Sequence, residues 1–188
     1  MSQSADKKEQ ILDAALQVFG RYGYRRTSME LIAQAAGVTR PALYQHYANK
    51  QDIFHAMAGR AIDQVIDRAE AIGRTDADVT DRVFGALDVK LEFIAGSVEA
   101  EFRSEMLAEV ATLAPDLTRS FKERQVAVIE AILLTAKDEL AQLGVSLSAH
   151  DTAVLLLAGL TGLTHQEEPD AQRTHLRQLV ELAIRSLR

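Results

Sequence analysis

Four neighbouring residues combine directional hydrogen bonding with small apolar surfaces. Arg40 carries a fork of donors that matches the O6 and N7 atoms of guanine, and Gln45 can pair with adenine. Pro41 and Ala42 offer apolar surface that suits a thymine methyl group. One good bidentate contact is worth about 1–3 kcal/mol of discrimination against the wrong base. This set of residues favours recognition of base edges in the major groove of DNA.

Polar side chains beside this set are suited to phosphates. Tyr44 and His46 can contact the DNA backbone, which positions a protein without specifying sequence. The alternative for Tyr44 is a half-buried aromatic that holds the turn. Lys50 lies in the first turn of a predicted helix, where a cation opposes the helix dipole. Since free amides at the same place bind anions, we expect Lys50 to contact phosphate, the alternative being a solvated lysine.

Two short helices joined by a glycine turn are predicted to position these side chains. Thr27 followed by Glu30 has the spacing of a capping box that begins the first helix. Gly37 comes where a left-handed residue ends that helix. Thr39 is expected to cap the second helix, and Asn49 to cap a third that begins at the next residue. This is the layout of a helix-turn-helix.

An amphipathic helix is predicted upstream, at about residues 7–22, and it is expected to end at Gly23. Its apolar stripe consists of Ile11, Leu12, Ala15, Val18, Phe19 and Tyr22. Together the three helices predict an N-terminal DNA-binding domain at residues 1–50, with a second domain at 51–188.

The first 55 to 60 residues, roughly, resemble the DNA-binding domain of the tetracycline-repressor (TetR) family of bacterial regulators. The resemblance rests on the runs ILDAALQVFGRYGY, TSMELIAQAAGVTRPALYQHYANK and DIF. It implies an all-helical homodimer with a variable ligand-binding C-terminal domain. It also implies base contacts from Thr39, Arg40, Pro41 and Ala42, and phosphate contacts from Thr27, Tyr44, His46 and Lys50. Gln45 takes a position that varies in the family.

Charge divides the chain in the same way. The whole chain has a formal net charge of −6, which on its own argues against a nucleic-acid binder. Residues 1–50 nevertheless contain seven basic and four acidic residues, whereas the remainder contains fourteen basic and twenty-three acidic residues. The predicted interface is therefore basic and the predicted body acidic.

Composition limits the class of protein. The 188 residues are 47% hydrophobic, which is sufficient for a core, and they include no cysteine. Because there is no signal peptide and no apolar run near 18 residues, we expect a cytoplasmic protein without a membrane partner.

The remainder is predicted to be helical, for a total of about nine helices and an all-α fold. Helices are expected at about residues 50–72, 81–95, 102–110, 116–143, 148–166 and 170–187. We expect Gly144 to close the fourth of these and Ser148 to cap the fifth.

The last two helices are predicted to form a two-fold dimer interface. The first of them is apolar around most of its circumference, so it has to be buried on more than one side. The alternative is that both helices line the core of one subunit. The predicted interface residues are Leu155, Gly159, Gly162, Leu163, Leu176, Leu179, Val180, Ala183 and Ile184.

A largely apolar pocket for a small effector is predicted in the second domain. Its walls would be Phe84, Leu87, Leu91, Phe102, Met106, Phe121 and Ile129, with Arg103 or Gln125 as polar contacts. Each of these residues has the alternative role of packed core.

We predict a ligand-responsive regulator, most simply a repressor released from a palindromic operator by its effector. One alternative is a helical DNA-binding or scaffold protein without an effector, and another is a small helical enzyme. No catalytic residue, metal site or cofactor is predicted. A metal site at His165 and His175 is conceivable, but a solvent-facing or dimer-rim position explains both histidines.

Overall fold

Nine α-helices and one 3-10 turn form the described part of the chain, residues 2–141, 143, 145, 147–164 and 169–188 of this computed structural model. In chain order they are α1 (Ser2–Arg26), α2 (Met29–Ala35), α3 (Arg40–His46), α4 (Lys50–Gly73), α5 (Val79–Ser97), the 3-10 turn Ala100–Phe102, α6 (Arg103–Leu113), α7 (Pro115–Thr135), α8 (Ala149–Thr164) and α9 (Pro169–Leu187). The all-α prediction is confirmed. None of the helices described is long and apolar enough to cross a membrane.

The chain folds into two compact units, and both are discontinuous in sequence. The N-terminal unit consists of Met1–Ile62 and Ile94–Thr118, and the C-terminal unit of Asp63–Phe93 and Arg119–Arg188. The units therefore do not divide at residue 50, where the sequence placed the boundary. The N-terminal unit extends beyond the predicted residues 1–50 and includes α6, which packs on α1.

The N-terminal unit has one hydrophobic core shared by α1, α2, α3, α4 and α6. Its largest buried side chains include Ile11, Phe19, Ile32, Leu43, Phe54, Phe102 and Met106. Five of the six residues of the predicted α1 stripe are buried, but Tyr22 is 38% exposed and its ring lies 5.4 Å from the Arg21 guanidinium. Gly23 interrupts α1 where the sequence predicted its end, since its φ of 73° and ψ of 166° are not helical, and a further short stretch of helix continues to Arg26.

A close backbone contact joins α1 to the last residue of α5 and the segment that follows it. A Cβ atom on Gly20 would overlap the carbonyl oxygen of Ser97. The amide of Glu99 donates a hydrogen bond of 2.9 Å to the Gly20 carbonyl. Only glycine permits the two backbones to come this close.

The C-terminal unit has a separate core, to which α5, α7, α8 and α9 contribute. Its most deeply buried residues include Leu87, Ile129, Leu133, Leu156, Leu160, Leu176 and Val180. Ser148 caps α8 as predicted, since its hydroxyl accepts a 3.0 Å hydrogen bond from the Asp151 amide. α7 ends at Thr135 and not at residue 143, because the chain then tightens into turns in which Ala136 and Glu139 bond to carbonyls three residues back. Gly144 lies outside the described residues.

Candidate nucleic-acid interface

The helix-turn-helix begins one residue later than the sequence indicated. Ser28, not Thr27, caps α2, and its hydroxyl accepts a 3.2 Å hydrogen bond from the Leu31 amide. Thr27 and Glu30 therefore form no capping box. The shift in register moves Glu30 to the second helical position, where its side chain is directed to another partner described below.

The turn between α2 and α3 is built as predicted. Gly37 has a φ of 62°, which a residue with a side chain rarely adopts. The Val38 amide donates to the Ala33 carbonyl at 3.0 Å, and the side-chain amide of Gln10 on α1 donates to the Ala36 carbonyl at 3.0 Å. These bonds fix the end of α2 against α1 and so fix the direction in which α3 begins.

α3 turns one apolar residue inward and most of its polar residues outward. Thr39 caps it by accepting a 3.3 Å hydrogen bond from the Ala42 amide, as predicted. Leu43 is fully buried. The outward surface brings together the residues predicted to contact DNA, with Ala42 and His46 partly exposed and Thr39, Arg40, Pro41, Tyr44 and Gln45 exposed.

Two neighbours hold the Arg40 guanidinium on this surface. Its carbon lies 5.6 Å from the centre of the Tyr44 ring, and a nitrogen lies 3.8 Å from a carboxylate oxygen of Glu30. A hydrogen bond with Tyr44, and to a lesser extent the Glu30 charge, raises the pKa of Arg40. Tyr44 is 43% exposed, which is compatible both with a phosphate contact and with the half-buried aromatic considered as its alternative.

Lys50 has internal partners that the sequence did not indicate. Its ammonium group donates to the Tyr24 carbonyl at 2.8 Å and to the Thr27 carbonyl at 2.9 Å, and it lies 4.2 Å from the centre of the Tyr24 ring. Burial lowers the pKa of Lys50. Since an ammonium group has three donors, one at most is left for a phosphate. Lys50 thus joins the first turn of α4 to the link between α1 and α2.

Thr27 is also occupied inside the N-terminal unit. It is only 3% exposed, and its hydroxyl donates a 2.8 Å hydrogen bond to the Gly23 carbonyl. This bond spans the kink of α1. The side chain would have to leave it to reach a phosphate.

The residues predicted to line one effector pocket are divided between the two units. Phe102 and Met106 are core residues of the N-terminal unit, each 6% exposed. Arg103 belongs to the same unit, and its guanidinium donates to the Val98 and Ala95 carbonyls near the end of α5. The remaining six residues lie in the C-terminal unit, namely Phe84, Leu87, Leu91, Phe121, Gln125 and Ile129.

The residues predicted to form a dimer interface are divided between core and surface. Leu176, Val180 and Ile184 belong to the core of one subunit, with exposures of at most 1%. Gly159 lets the chain's own α9 approach, since a Cβ atom there would overlap a methyl carbon of Leu179.

An apolar surface nevertheless lies along α8 and α9. Leu155 is 57% exposed and Gly162 is exposed, while Leu163, Leu179 and Ala183 are partly exposed. Leu182, which the sequence analysis omitted, is 68% exposed. A groove of about 230 Å³ is lined by Leu147, Thr152, Leu155, Leu156, Leu179, Leu182, Ala183, Ser186 and Leu187.

Within the described ranges, no group of three or more histidine, aspartate or glutamate residues could hold a metal ion. His165 lies outside these ranges, so the conceivable site with His175 cannot be assembled from them. His175 is exposed.

Several known proteins resemble this chain mainly in the part that contains the helix-turn-helix. Residues 11–57 match the family described as bacterial regulatory proteins, tetR family. The transcriptional activator FasR of Mycolicibacterium smegmatis is 34% identical over 89 residues, which are 47% of this chain and 41% of FasR. The chain spans half or less of three further curated regulators that match in the same way.

Other matches extend over most of the chain. The transcriptional repressor BepR of Brucella suis is 28% identical over 198 residues, which cover all of this chain and 94% of BepR. The solved structure of SmeT, the repressor of the Stenotrophomonas maltophilia multidrug efflux pump SmeDEF, is 28% identical with a TM-score of 0.63. That match covers 94% of this chain and 86% of SmeT.

Proposed function

We infer that the chain belongs to the TetR family of bacterial regulatory proteins, and from this premise we propose that it is a DNA-binding transcriptional regulator. The observation that carries the proposal is the exposed face of α3, where Arg40, Pro41 and Gln45 stand on a capped helix that is fixed by a glycine turn. We propose base contacts from Thr39, Arg40, Pro41, Ala42 and Gln45. Phosphates would be met by Tyr44 and His46. Thr27 would have to give up its internal hydrogen bond for such a contact, and Lys50 has at most one donor left for it.

We propose that the regulator binds as a homodimer through α8 and α9. A single helix as short as α3 contacts too few base pairs to be specific, whereas two copies related by a two-fold axis contact two half-sites. The exposed side chains of Leu155 and Leu182 support this proposal, because an apolar surface of this kind is usually covered.

We further propose a small, largely apolar effector that weakens operator binding. Repression is the favoured direction, since the relative that matches the whole chain is a repressor. A regulator of the bacterial chromosome acts in the cytoplasm, which is the location that we propose. The second candidate function is constitutive DNA binding or scaffolding without an effector, and the family's variable C-terminal domain leaves room for it.

Selection of bound DNA from a random pool, with and without cell metabolites, tests these proposals together. We expect a palindromic site that is depleted when the metabolites are present. A selected site without two-fold symmetry would contradict the dimer, and the same enrichment with metabolites would favour the alternative without an effector. If no sequence is enriched, the proposed function is wrong.

A further inference from the structure

We propose that the effector carries an anionic head group, such as a carboxylate, and that this group pairs with Lys90 in the C-terminal unit. The rest of the effector would be apolar. This inference rests on the proposed function, because it names the chemical class of the effector. Lys90 had no role in the sequence analysis.

Lys90 differs from its charged neighbour on α5 in having no counter-ion. Asp88 is 4% exposed, and its carboxylate pairs with the Arg173 guanidinium at 2.5 Å. Residues two positions apart on a helix are separated by about 200° around its axis, so Lys90 lies on roughly the opposite side of α5 from Asp88. Among the described residues, no carboxylate forms an ion pair with it.

The surroundings of Lys90 are apolar and aromatic. Its ammonium nitrogen lies 5.8 Å from the centre of the Phe121 ring on α7. Leu87 shares its side of α5 by helical spacing and Leu91 follows it directly, and these leucines are 1% and 6% exposed. Burial lowers the pKa of Lys90, and no charged neighbour opposes that effect. A cation that is partly removed from water without a counter-ion destabilises a fold, so an apolar residue would pack here more favourably.

The ammonium group of Lys90 is not fully enclosed by the protein. In the described part of the chain, the fully enclosed side-chain nitrogen and oxygen atoms without a hydrogen bond are Arg82 Nε and Asp88 Oδ1. The Lys90 nitrogen is not among them, and neither is the side-chain amide of Gln125. Both groups therefore keep some accessible surface.

Gln125 is a second polar group on the side of α7 that Phe121 occupies. It follows Phe121 by one helical turn, is 7% exposed, and no side-chain hydrogen bond joins it to another described residue. A cation and an amide donor within a largely apolar environment suit a carboxylate attached to a hydrocarbon body. A cationic ligand would be repelled, and a neutral one would leave Lys90 without a counter-ion.

The test compares matched ligands on the full chain in the absence of DNA. The probes are straight-chain acids of about eight to twelve carbons, with the alcohols and amines of the same lengths. Because charge-assisted hydrogen bonds are the stronger ones, we expect at least one acid to bind about tenfold tighter than its alcohol. Titration calorimetry measures the affinities.

Three variants identify the residue responsible. Lys90→Met should fold normally and lose the preference for acids over alcohols, whereas Lys90→Arg should keep it. Lys122→Met, which changes an exposed lysine on α7, serves as the matched control and should behave as the wild type. Circular dichroism checks that every variant is folded.

Two outcomes would overturn the proposal. One is equal binding of acids and alcohols at every length, including no binding of either at about 1 mM, which corresponds to only about 4 kcal/mol of binding free energy. The other is an unchanged preference for acids in Lys90→Met. Failure of the proposed function is a separate result, since operator selection does not depend on these ligands.

Discussion

In the proposed complex with DNA, Arg40 exchanges protein partners for a base edge. In the unbound protein it lies against Tyr44 and near Glu30, and all three side chains are exposed. Because exposed ion pairs contribute at most about 1 kcal/mol, the Glu30 contact is readily replaced by a bidentate contact to guanine. Its effect is to keep the guanidinium near the outer face of α3 before DNA arrives.

Replacing Arg40 by alanine should reduce discrimination at one base pair of each half-site. We expect a loss of about 1–3 kcal/mol against the selected site and much less against a site altered at that base pair. Binding measured on a panel of single-base variants checks this. Arg119→Ala, which changes an exposed arginine on α7, is the control. Equal weakening on every site would contradict base recognition by Arg40.

Lys50 offers a separate test, because an internal role and a phosphate contact predict different salt dependence. Lys50→Met removes a charged donor from two carbonyls, so we expect the free energy of unfolding to fall by about 1–3 kcal/mol. Operator affinity should fall with it, while the slope of log K against log salt stays unchanged. Urea denaturation and binding titrations at several salt concentrations measure both quantities.

A phosphate contact of Lys50 would give a different result. A lost phosphate contact would reduce the magnitude of the salt slope by about 0.9 without a matching loss of stability. That outcome would return Lys50 to the role expected from the sequence. Lys122→Met should change neither quantity.

At the scale of single residues, the sequence predicted which residues are exposed on α3 better than it predicted hydrogen-bond partners. The α3 surface could be predicted because helical spacing alone separates Leu43 from Pro41 and Gln45, each two residues away from it. The cap of α2 could not, since Thr27 and Ser28 are both good capping residues and only the kink at Gly23 selects between them. The partners of Lys50 depend on carbonyls more than twenty residues away, which no local pattern reports.

At the scale of helices, the existence and order of the helices could be predicted from apolar spacing and capping residues. The contacts between helices could not be predicted in this way. The pairing of α1 with α6 joins segments about eighty residues apart, and Gly20 is an ordinary helical glycine until Ser97 is placed against it. The end of α7 also escaped prediction, because apolar residues such as Leu140 continue the helical pattern after the helix has ended.

Gly20→Ala tests the contact between α1 and the last residue of α5. The added Cβ atom would overlap the Ser97 carbonyl oxygen, which belongs to the backbone and cannot move as a flexible side chain can. We expect the free energy of unfolding to fall by about 2–3 kcal/mol, as measured by urea denaturation.

A matched control for this substitution lies at the end of α5. A methyl group added to Gly96 would have no heavy atom within 4 Å, and this glycine adopts no left-handed conformation. Gly96→Ala should therefore be neutral or stabilise the protein by up to about 1 kcal/mol. Equal destabilisation by both substitutions would contradict a specific role for Gly20.

At the scale of the whole molecule, the uneven charge and the apolar surface of α8 and α9 act together. The acidic remainder of the chain repels DNA, so docking is directed to the basic N-terminal residues. Pairing through α8 and α9 would then supply two such interfaces to one operator.

The double variant Leu155→Glu, Leu182→Glu should separate the subunits. Charges at two exposed leucines of the proposed interface oppose its burial, so we expect a monomer at micromolar concentration. Operator affinity should approach that for random DNA, a loss of roughly a thousandfold. Sedimentation equilibrium and binding titrations check both expectations.

Leu134→Glu is the control for this experiment. Leu134 is 53% exposed on α7, outside the groove between α8 and α9, and its substitution should leave a dimer. A wild-type protein that is monomeric in the same experiment would contradict the proposed assembly.

The discontinuity of the N-terminal unit has a consequence for how the protein is made. Its last segment, Ile94–Thr118, is synthesised after thirty-one residues of the other unit. A nascent chain that has just released α4 from the ribosome therefore lacks the backbone of Ser97 and Glu99, which packs against Gly20. The DNA-recognising unit can be completed only once α6 has emerged, and a fragment cut after Ile62 would leave α1 with an uncovered apolar side.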